Sequence, residues 1–292
     1  MPQSIQEPIM NPATAAKIKE VIATPPNSLG LVGPTGIGRK TLAQWIVRNI
    51  VDDPKLNLDD NQYCKVISTE NNISIKDEQI EVINDFVKLK TLGKNNLRRF
   101  IVIDGADLLT VWSQNRLLRL LEEPPLDTML ILLIDNPKEM LPTVLSRLQI
   151  ISVKEPSKEQ IKNKFDISPK DFDRLYAMSD GLPGLLQSVS EDPDNHELML
   201  ALAKVRDLLT KTTFQRLTTI NELSPDKIAT KSLLDVLTRL SKVSIDSAVK
   251  NGDEVAVDKW LKILAGSVNA KEALSKNANA KLTLTDLFLN LV

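Results

Sequence analysis

The 292-residue sequence contains a single cysteine, Cys64, and a single histidine, His196. One cysteine cannot form an internal disulfide, and it excludes every zinc site built from several cysteines. We interpret Cys64 as a buried and unreactive thiol. His196 follows Asp194 and Asn195, and we interpret it as a residue at the start of a helix rather than as a catalytic base.

Long apolar runs and an excess of charge of one sign are also absent. No run of about 18 apolar residues occurs, so the sequence predicts no membrane-spanning helix. The polar N-terminus lacks the basic and apolar regions of a signal peptide, and we expect a cytoplasmic protein without a membrane partner. Lys and Arg number 37 against 38 Asp and Glu, for a formal net charge of -1. This balance argues against extensive non-specific coating of DNA.

The pattern of apolar residues divides the chain into an α/β part and a helical part. The predicted strands cover residues 28–32, 63–67, 99–104, 129–134 and 149–153. The predicted helices between them cover residues 41–51, 78–89, 111–123 and 141–148. Apolar strands that alternate with helices indicate a parallel sheet covered on both faces. After Pro156 the sequence predicts only helices, and a length of 292 residues is typical of two or three domains.

A glycine-rich turn follows the first predicted strand. Residues 33–41 read Gly-Pro-Thr-Gly-Ile-Gly-Arg-Lys-Thr. Gly33, Gly36 and Gly38 match a phosphate-binding loop, in which backbone N–H groups surround a phosphate at the N-terminus of the next helix. The strand before the turn and the helix after it are the context that such a loop requires.

The residues after these glycines depart from the ATPase pattern, which requires Lys and then Ser or Thr. Arg39 occupies the lysine position and Lys40 the hydroxyl position, while Thr41 comes one residue too late. A cation at the hydroxyl position would repel Mg²⁺, and the planar guanidinium is larger than an ammonium group. Three interpretations remain open: a loop that binds nucleotide poorly or not at all, a loop that binds nucleotide but turns over slowly, and a simple strand–turn–helix corner.

The third predicted strand ends in a carboxylate but lacks the catalytic base that would follow it. Asp104 ends the apolar run and is predicted to be a vestigial member of the site. An ATPase of this kind then needs a glutamate to polarise the attacking water, and the next residue is Gly105.

An arginine lies at the end of the short helix after the fourth strand. Residues 141–147 read Leu-Pro-Thr-Val-Leu-Ser-Arg. Arg147, with Ser146 before it, can point out of its own domain toward a phosphate bound by a neighbouring subunit, as an arginine finger does. By itself the Ser-Arg pair fits an ordinary surface arginine equally well.

Several segments, in order along the chain, resemble the delta-prime family of bacterial DNA polymerase III clamp-loader subunits. The segments are residues 33–43 (GPTGIGRKTLA), 100–110 (FIVIDGADLLT), 115–125 (NRLLRLLEEPP), 141–147 (LPTVLSR), 181–186 and 279–291. The resemblance implies a P-loop NTPase-like (AAA+) α/β domain over residues 1–153, a small helical lid over 154–194 and an all-α collar that oligomerises over 195–292. It covers the whole chain, and its most specific segment is the NRLLRLLEEPP helix.

The resemblance also implies a function. Such a subunit does not hydrolyse ATP itself and contributes Ser146 and Arg147 to the ATP site of a neighbouring gamma or tau motor subunit. It contacts the clamp-opening delta subunit, and the assembled complex, part of the DNA polymerase III holoenzyme, loads the sliding clamp onto primed DNA. Gly184 aligns with an arginine that senses ATP in motor subunits. Asp135 and Asn136 lie where motors carry a polar sensor.

The resemblance leaves two other functions to consider. A slow ATP-binding motor subunit would need Lys at position 39 and Glu at 105, and the clamp-opening delta subunit would lack the Ser-Arg pair. The four-cysteine zinc module common in the family is replaced here by residues 52–62, so no metal is expected. No cofactor is expected either, although residual ATP, ADP or phosphate in the loop stays open.

Overall fold

The computed structural model describes residues 7–68, 75, 77–88, 99–165, 167–192, 196–223 and 227–290. The chain separates into two compact units. One comprises Met1–Asp166 with Leu182–Gly184, and the other comprises Ile167–Gly181 with Leu185–Val292. The division into three domains, with boundaries at 153 and 194, stays a prediction, and residues 194 and 195 lie outside the described residues.

The first unit is built on a five-stranded parallel sheet with the strand order β2-β3-β4-β1-β5. Its strands are β1 (Ser28–Val32), β2 (Cys64–Ile67), β3 (Arg99–Asp104), β4 (Thr128–Ile134) and β5 (Gln149–Ser152). Its helices are α1 (Pro12–Ala23), α2 (Arg39–Val51), α3 (Asp77–Lys88), α4 (Val111–Glu122), α5 (Pro142–Leu145) and α6 (Lys158–Lys162). The parallel sheet predicted from the apolar runs is confirmed.

The register of the sheet brings the functional segments to one edge. Val32 at the end of β1 pairs with Ile134 at the end of β4, and Asp104 at the end of β3 pairs with Leu133. The carboxyl ends of parallel strands lie at the same edge, where α/β folds place their ligand sites. The glycine-rich turn after β1, Gly105 after β3 and the residues after β4 therefore lie close together.

Helix α1 was not among the predicted helices. It begins at an Asn-Pro pair, since Pro12 occupies its first turn and the Asn11 side chain accepts a hydrogen bond from the Ala13 N–H at 3.0 Å. Ile18 and Val21 on its inner face are fully buried. The cap and the N-terminal proline are both helix-start signals that the sequence carried.

The second unit is helical throughout its described residues. Its helices are α7 (Pro169–Met178), α8 (Pro183–Glu191), α9 (Glu197–Thr210), α10 (Thr213–Leu223), α11 (Lys227–Asn251), α12 (Glu254–Ser275) and α13 (Ala280–Leu289). The first two residues of α8 belong to the first unit. Val205, Leu234 and Phe288 lie in an apolar core of the second unit. His196 caps α9, because its Nδ1 accepts a hydrogen bond from the Leu198 N–H at 3.1 Å, which confirms its predicted place at a helix start.

Cys64 is buried at the start of β2. Burial raises the pKa of its thiol to about 12, so the reactive thiolate is scarce at neutral pH. This agrees with the interpretation of Cys64 as an unreactive core residue. Among the described residues, no helix has both the length and the apolar character needed to cross a bilayer.

A buried ion pair ties the amino end of β3 to the segment before β4. Arg99 is only 7% exposed, and its Nη2 lies 2.6 Å from Oδ1 of Asp127. The Arg99 guanidinium also donates to the carbonyl oxygens of Phe86 and Val87 in α3. This one side chain therefore links a strand, a loop and a helix of the α/β unit.

We expect Asp127→Ala to lower the free energy of unfolding of the first unit by about 3 kcal/mol, because removing one partner leaves a buried charge uncompensated. Urea unfolding followed by circular dichroism measures this. Glu7→Ala is the matched control. It removes an exposed pair with Lys19, in which the charged atoms are 3.9 Å apart, and should change stability by less than about 1 kcal/mol. Equal effects of the two substitutions would contradict the structural role of Arg99.

Candidate functional site

The glycine-rich turn connects β1 to α2 in the backbone conformation that its glycines allow. Gly36 has φ 92° and Gly38 has φ 96°, a left-handed region that favours glycine. Gly38 is the N-cap of α2 and provides no side-chain cap. Gly33 is constrained by space, because a Cβ there would lie 3.1 Å from the Val153 carbonyl oxygen. The three predicted glycines therefore shape the turn.

The two cations after these glycines point to partners within the protein. Arg39 is 8% exposed, and its Nη2 donates to Oγ1 of Thr35 at 3.3 Å. Its Nη1 is buried and makes no hydrogen bond to the protein. Lys40 extends away and pairs with Asp59, with Nζ 2.9 Å from Oδ1. Thr41 is exposed in the first turn of α2.

A carboxylate after β4 holds the turn in place. Oδ1 of Asp135 accepts a hydrogen bond from the Thr35 N–H and Oδ2 accepts one from the Thr35 hydroxyl, both at 3.1 Å. The backbone N–H of Asp135 donates in turn to Asp107 at 2.9 Å. A chain of hydrogen bonds thus runs from the residues after β3 through Asp135 to Thr35 and Arg39. This contact of Asp135 could not be predicted from the sequence, because its partner Thr35 lies 100 positions away.

The neighbouring Asn136 has a local function. Its Oδ1 accepts a hydrogen bond from the Lys138 N–H at 3.2 Å and thereby caps the short 3-10 helix Pro137–Glu139. The Asn136 N–H donates to Oδ2 of Asp107 at 3.3 Å. Asn136 is therefore a capping residue here, with its side chain committed to the backbone of its own loop.

The residue that follows Asp104 at the end of β3 is a glycine, which has no acidic side chain. Gly105 has φ 76°, and a Cβ there would lie 3.1 Å from a methyl carbon of Leu108. A glutamate at position 105 would be strained in this backbone. The backbone conformation at position 105 therefore favours glycine over the glutamate that an ATPase would need there.

The backbone at position 184 lies directly against the glycine-rich turn, called the phosphate loop below. A Cβ built on Gly184 would be 2.9 Å from the Gly36 carbonyl oxygen and 3.2 Å from both N and Cα of Gly38. These neighbours are backbone atoms, so they cannot rotate away as a flexible side chain can. The structure therefore has no room for a side chain at the position that, by the resemblance, holds an arginine in motor subunits.

The candidate arginine finger lies at the end of α5. Arg147 is exposed, its Nη1 donates to the Thr143 carbonyl oxygen at 2.7 Å, and its Nη2 lies 2.8 Å from Oε1 of Glu122. The Ser146 hydroxyl also donates to the Thr143 carbonyl oxygen, at 3.1 Å. Leu148, the next residue, is buried against the position of Gly30.

The buried amide of Gln114 attaches α5 to α4. Its Oε1 accepts from the Leu141 N–H at 2.7 Å, and its Nε2 donates to the carbonyl oxygens of Leu109 and Glu139 at 3.1 Å and 3.0 Å. Gln114 is 1% exposed, and a buried amide with its hydrogen bonds satisfied fixes its surroundings. Arg147 is therefore presented from a rigid pair of helices.

The parallel sheet with a glycine-rich turn between β1 and α2 gives the first unit the fold of a P-loop NTPase-like α/β domain. This chain is similar in fold to a DNA polymerase III gamma subunit-related protein of Thermotoga maritima. That likeness has a TM-score of 0.57 at 17% sequence identity and covers 94% of this chain and 97% of the other. The predicted fold class is confirmed.

Sequence matches relate part of this chain to DNA polymerase III subunits. A family model described as DNA polymerase III, delta subunit matches residues 23–157. The DNA polymerase III subunit delta' of Bacillus subtilis is 31% identical over 100 residues, and that of Haemophilus influenzae is 29% identical over 130 residues. These alignments cover 33% and 43% of this chain and only 30% and 39% of the two relatives. The matched part of this chain is thus similar to delta-prime subunits, which agrees with the resemblance seen in the sequence, and the matches span less than half of each relative.

We expect Gly184→Ala to destabilise the first unit by about 1–3 kcal/mol, because the new methyl group would overlap the backbone of the phosphate loop. Without that contact the substitution would be stabilising, since alanine favours a helix over glycine by up to about 1 kcal/mol. Urea unfolding shows whether Gly184→Ala raises or lowers the free energy of unfolding. Gly30→Ala is the control, because its Cβ would meet only side-chain atoms at 3.4–3.6 Å. If Gly184→Ala stabilised the protein, a side chain at position 184 would not overlap the backbone of the loop, which would contradict the prediction.

Proposed function

We propose that this chain is a clamp-loader subunit that does not hydrolyse ATP and that donates Arg147 to the ATP site of a neighbouring motor subunit. The family match and the curated delta-prime relatives support the clamp-loader assignment. The observation that carries the lack of ATP turnover is the contact of position 184 with Gly36 and Gly38. Those loop residues are the ones whose backbone would surround a phosphate.

Three further features support an inactive site. The Lys40 ammonium is paired with Asp59, so the cation at the Mg²⁺-ligand position points to the protein rather than to a nucleotide. The Thr35 donors are used by Asp135. Gly105 supplies no base to activate water, and this base is required for hydrolysis in related ATPases. Loss of either the phosphate site or the base would prevent turnover, and both are altered here.

The in-trans role of Arg147 is supported by its exposure and its unused donors. A guanidinium has five N–H groups. In the described contacts of Arg147, Nη1 donates to the Thr143 carbonyl oxygen and to the Ser146 hydroxyl, and Nη2 uses one N–H toward Glu122. The others can reach a phosphate that another subunit holds. In this proposal the chain acts in the cytoplasm with gamma or tau motor subunits and the delta subunit, and the complex places the sliding clamp on primed DNA.

One observation favours a second candidate, a loop that retains an anion without hydrolysing ATP. The Nη1 group of Arg39 is buried and has no hydrogen-bond acceptor in the protein. A buried, unsatisfied donor on a charged group is costly, and a bound phosphate beside it would remove that cost. Under this second function the subunit would bind phosphate or ADP as a structural anion.

Calorimetric titration of the isolated chain separates the two candidates. We expect no heat of binding from MgATP at millimolar concentration, because position 184 covers the loop. Inorganic phosphate is the second titrant, and Arg39→Met is the matched variant because it keeps a long apolar stem and removes the guanidinium. Phosphate binding that Arg39→Met abolishes would establish the second candidate, and MgATP binding with turnover would overturn the proposed inactive site.

The arginine-finger role predicts a loss of ATPase activity in the assembled complex. The chain is combined with delta and with motor subunits whose own finger arginines are replaced, so that turnover reports the site facing Arg147. We expect Arg147→Ala to lower kcat at that site by about 10³-fold, the lower end of the range for arginine fingers. Clamp and primed DNA are present, and hydrolysis is measured by phosphate release.

Gel filtration of the same complex is the control for assembly. Arg119→Ala is the matched variant, because Arg119 lies on the exposed side of α4 and has no proposed role. An unchanged rate with Arg147→Ala in an intact complex would refute the finger. Hydrolysis by the isolated chain would favour the slow-motor function.

A further inference from the structure

The Arg147 side chain is held at two points, one of them by a carboxylate from a different helix. Its Nη1 donates to the Thr143 carbonyl oxygen of its own helix at 2.7 Å. Its Nη2 lies 2.8 Å from Oε1 of Glu122, the last residue of α4. Glu122 belongs to the Leu-Leu-Glu-Glu-Pro-Pro segment, in which two carboxylates precede the prolines.

This ion pair contributes little to the free energy of unfolding. The side chains of Arg147 and Glu122 are 36% and 50% exposed, and exposed pairs contribute little because water screens them and ordering two long side chains is unfavourable. The end of α4 does not need the pair either, because Pro124 and Pro125 already stop the helix. The pair is therefore better explained by what it does to the direction of the arginine.

The geometry leaves Arg147 able to bind a phosphate while Glu122 holds it. A guanidinium presents five N–H donors in a rigid plane, and the contacts to Thr143 and Glu122 use one donor on each terminal nitrogen. Fixing the plane at both nitrogens removes much of the rotational freedom of a long side chain. A group that is already oriented gains rate because less freedom is lost in the transition state.

We infer that Glu122 is a positioning residue that orients Arg147 toward the phosphate of the neighbouring subunit. The inference rests on the proposed in-trans function of Arg147. Glu122 itself touches no substrate and acts only through the arginine. It is carried by a rigid platform, since Gln114 ties α4 to the start of α5 through the Leu141 N–H.

The adjacent Glu123 provides a matched control. It is the C-cap of α4, is exposed, and its side chain makes no hydrogen bond or ion pair among the described contacts. Glu122→Gln and Glu123→Gln remove one negative charge each from the same turn. A general electrostatic effect on the complex would appear in both variants, whereas orientation of Arg147 is lost only in the first.

The test uses the reconstituted complex in which turnover reports only the site facing Arg147. We expect Glu122→Gln to lower kcat about tenfold, a loss within the range that a small misplacement of a catalytic group produces. The KM for ATP should stay unchanged, because the finger acts mainly in the transition state. Glu123→Gln should match the wild type, and Glu122→Asp should recover part of the rate. The melting temperature of the isolated chain should be the same for all three variants.

A double variant separates failure of this inference from failure of the proposed function. In the Arg147→Ala background, Glu122→Gln should cause no further loss, because residues that act through one another are not additive. If Arg147→Ala alone has no effect, the proposed function fails. If Arg147→Ala is slow but Glu122→Gln matches the wild type, or lowers the rate as much in the Arg147→Ala background, only the positioning role is overturned. A faster Glu122→Gln complex would show that the carboxylate competes with phosphate for Arg147, which also overturns the inference.

Discussion

The arrangement of the phosphate loop depends on one close approach between backbones, which position 184 permits because it has no side chain. A Cβ at Gly184 would lie 2.9 Å from the Gly36 carbonyl oxygen, a distance that backbone atoms cannot relieve by rotation. The backbone of Gly184 can therefore lie against the loop. In the proposed function this glycine has two effects, since it covers the phosphate site and removes the arginine with which motor subunits sense ATP.

The relative strength of the contacts around the loop indicates which of them opposes nucleotide binding. The Lys40–Asp59 pair is 45% and 50% exposed, and such a pair contributes less than about 1 kcal/mol, so a phosphate could displace it. The hydrogen bonds from Thr35 to Asp135 are also exposed and can exchange with water. The backbone contact at Gly184 is different, because it can be relieved only by moving the backbone of Gly184 or of the loop. Steric closure, rather than charge, is thus the main barrier in the proposed inactive site.

The sequence predicted the features that depend on local pattern. The apolar runs located the strands of the sheet, and the spacing of Gly33 and Gly38 located the loop. The contacts that define the site escaped prediction because they join distant positions, such as Thr35 with Asp135 and Arg147 with Glu122. Periodicity records which face of an element is buried, but it does not record which polar residue on another element will be its partner. Helix α1 is a different case, because the sequence does carry a local signal for it, the capping Asn11 followed by Pro12.

The two arginines of the α/β unit differ in what the fold allows them to do. Arg39 is buried, and its Nη2 donates to Thr35 while its Nη1 has no acceptor in the protein, so only Nη1 is left for an anion that enters the loop. Arg147 is exposed, and the helices that hold it are fixed by the buried Gln114 amide rather than by the loop. Its presentation therefore does not require a nucleotide in the chain's own site. In the proposed function, the chain can therefore lack ATP chemistry at the loop and still present Arg147 to a neighbour, because the contacts that hold Arg147 are separate from those of the loop.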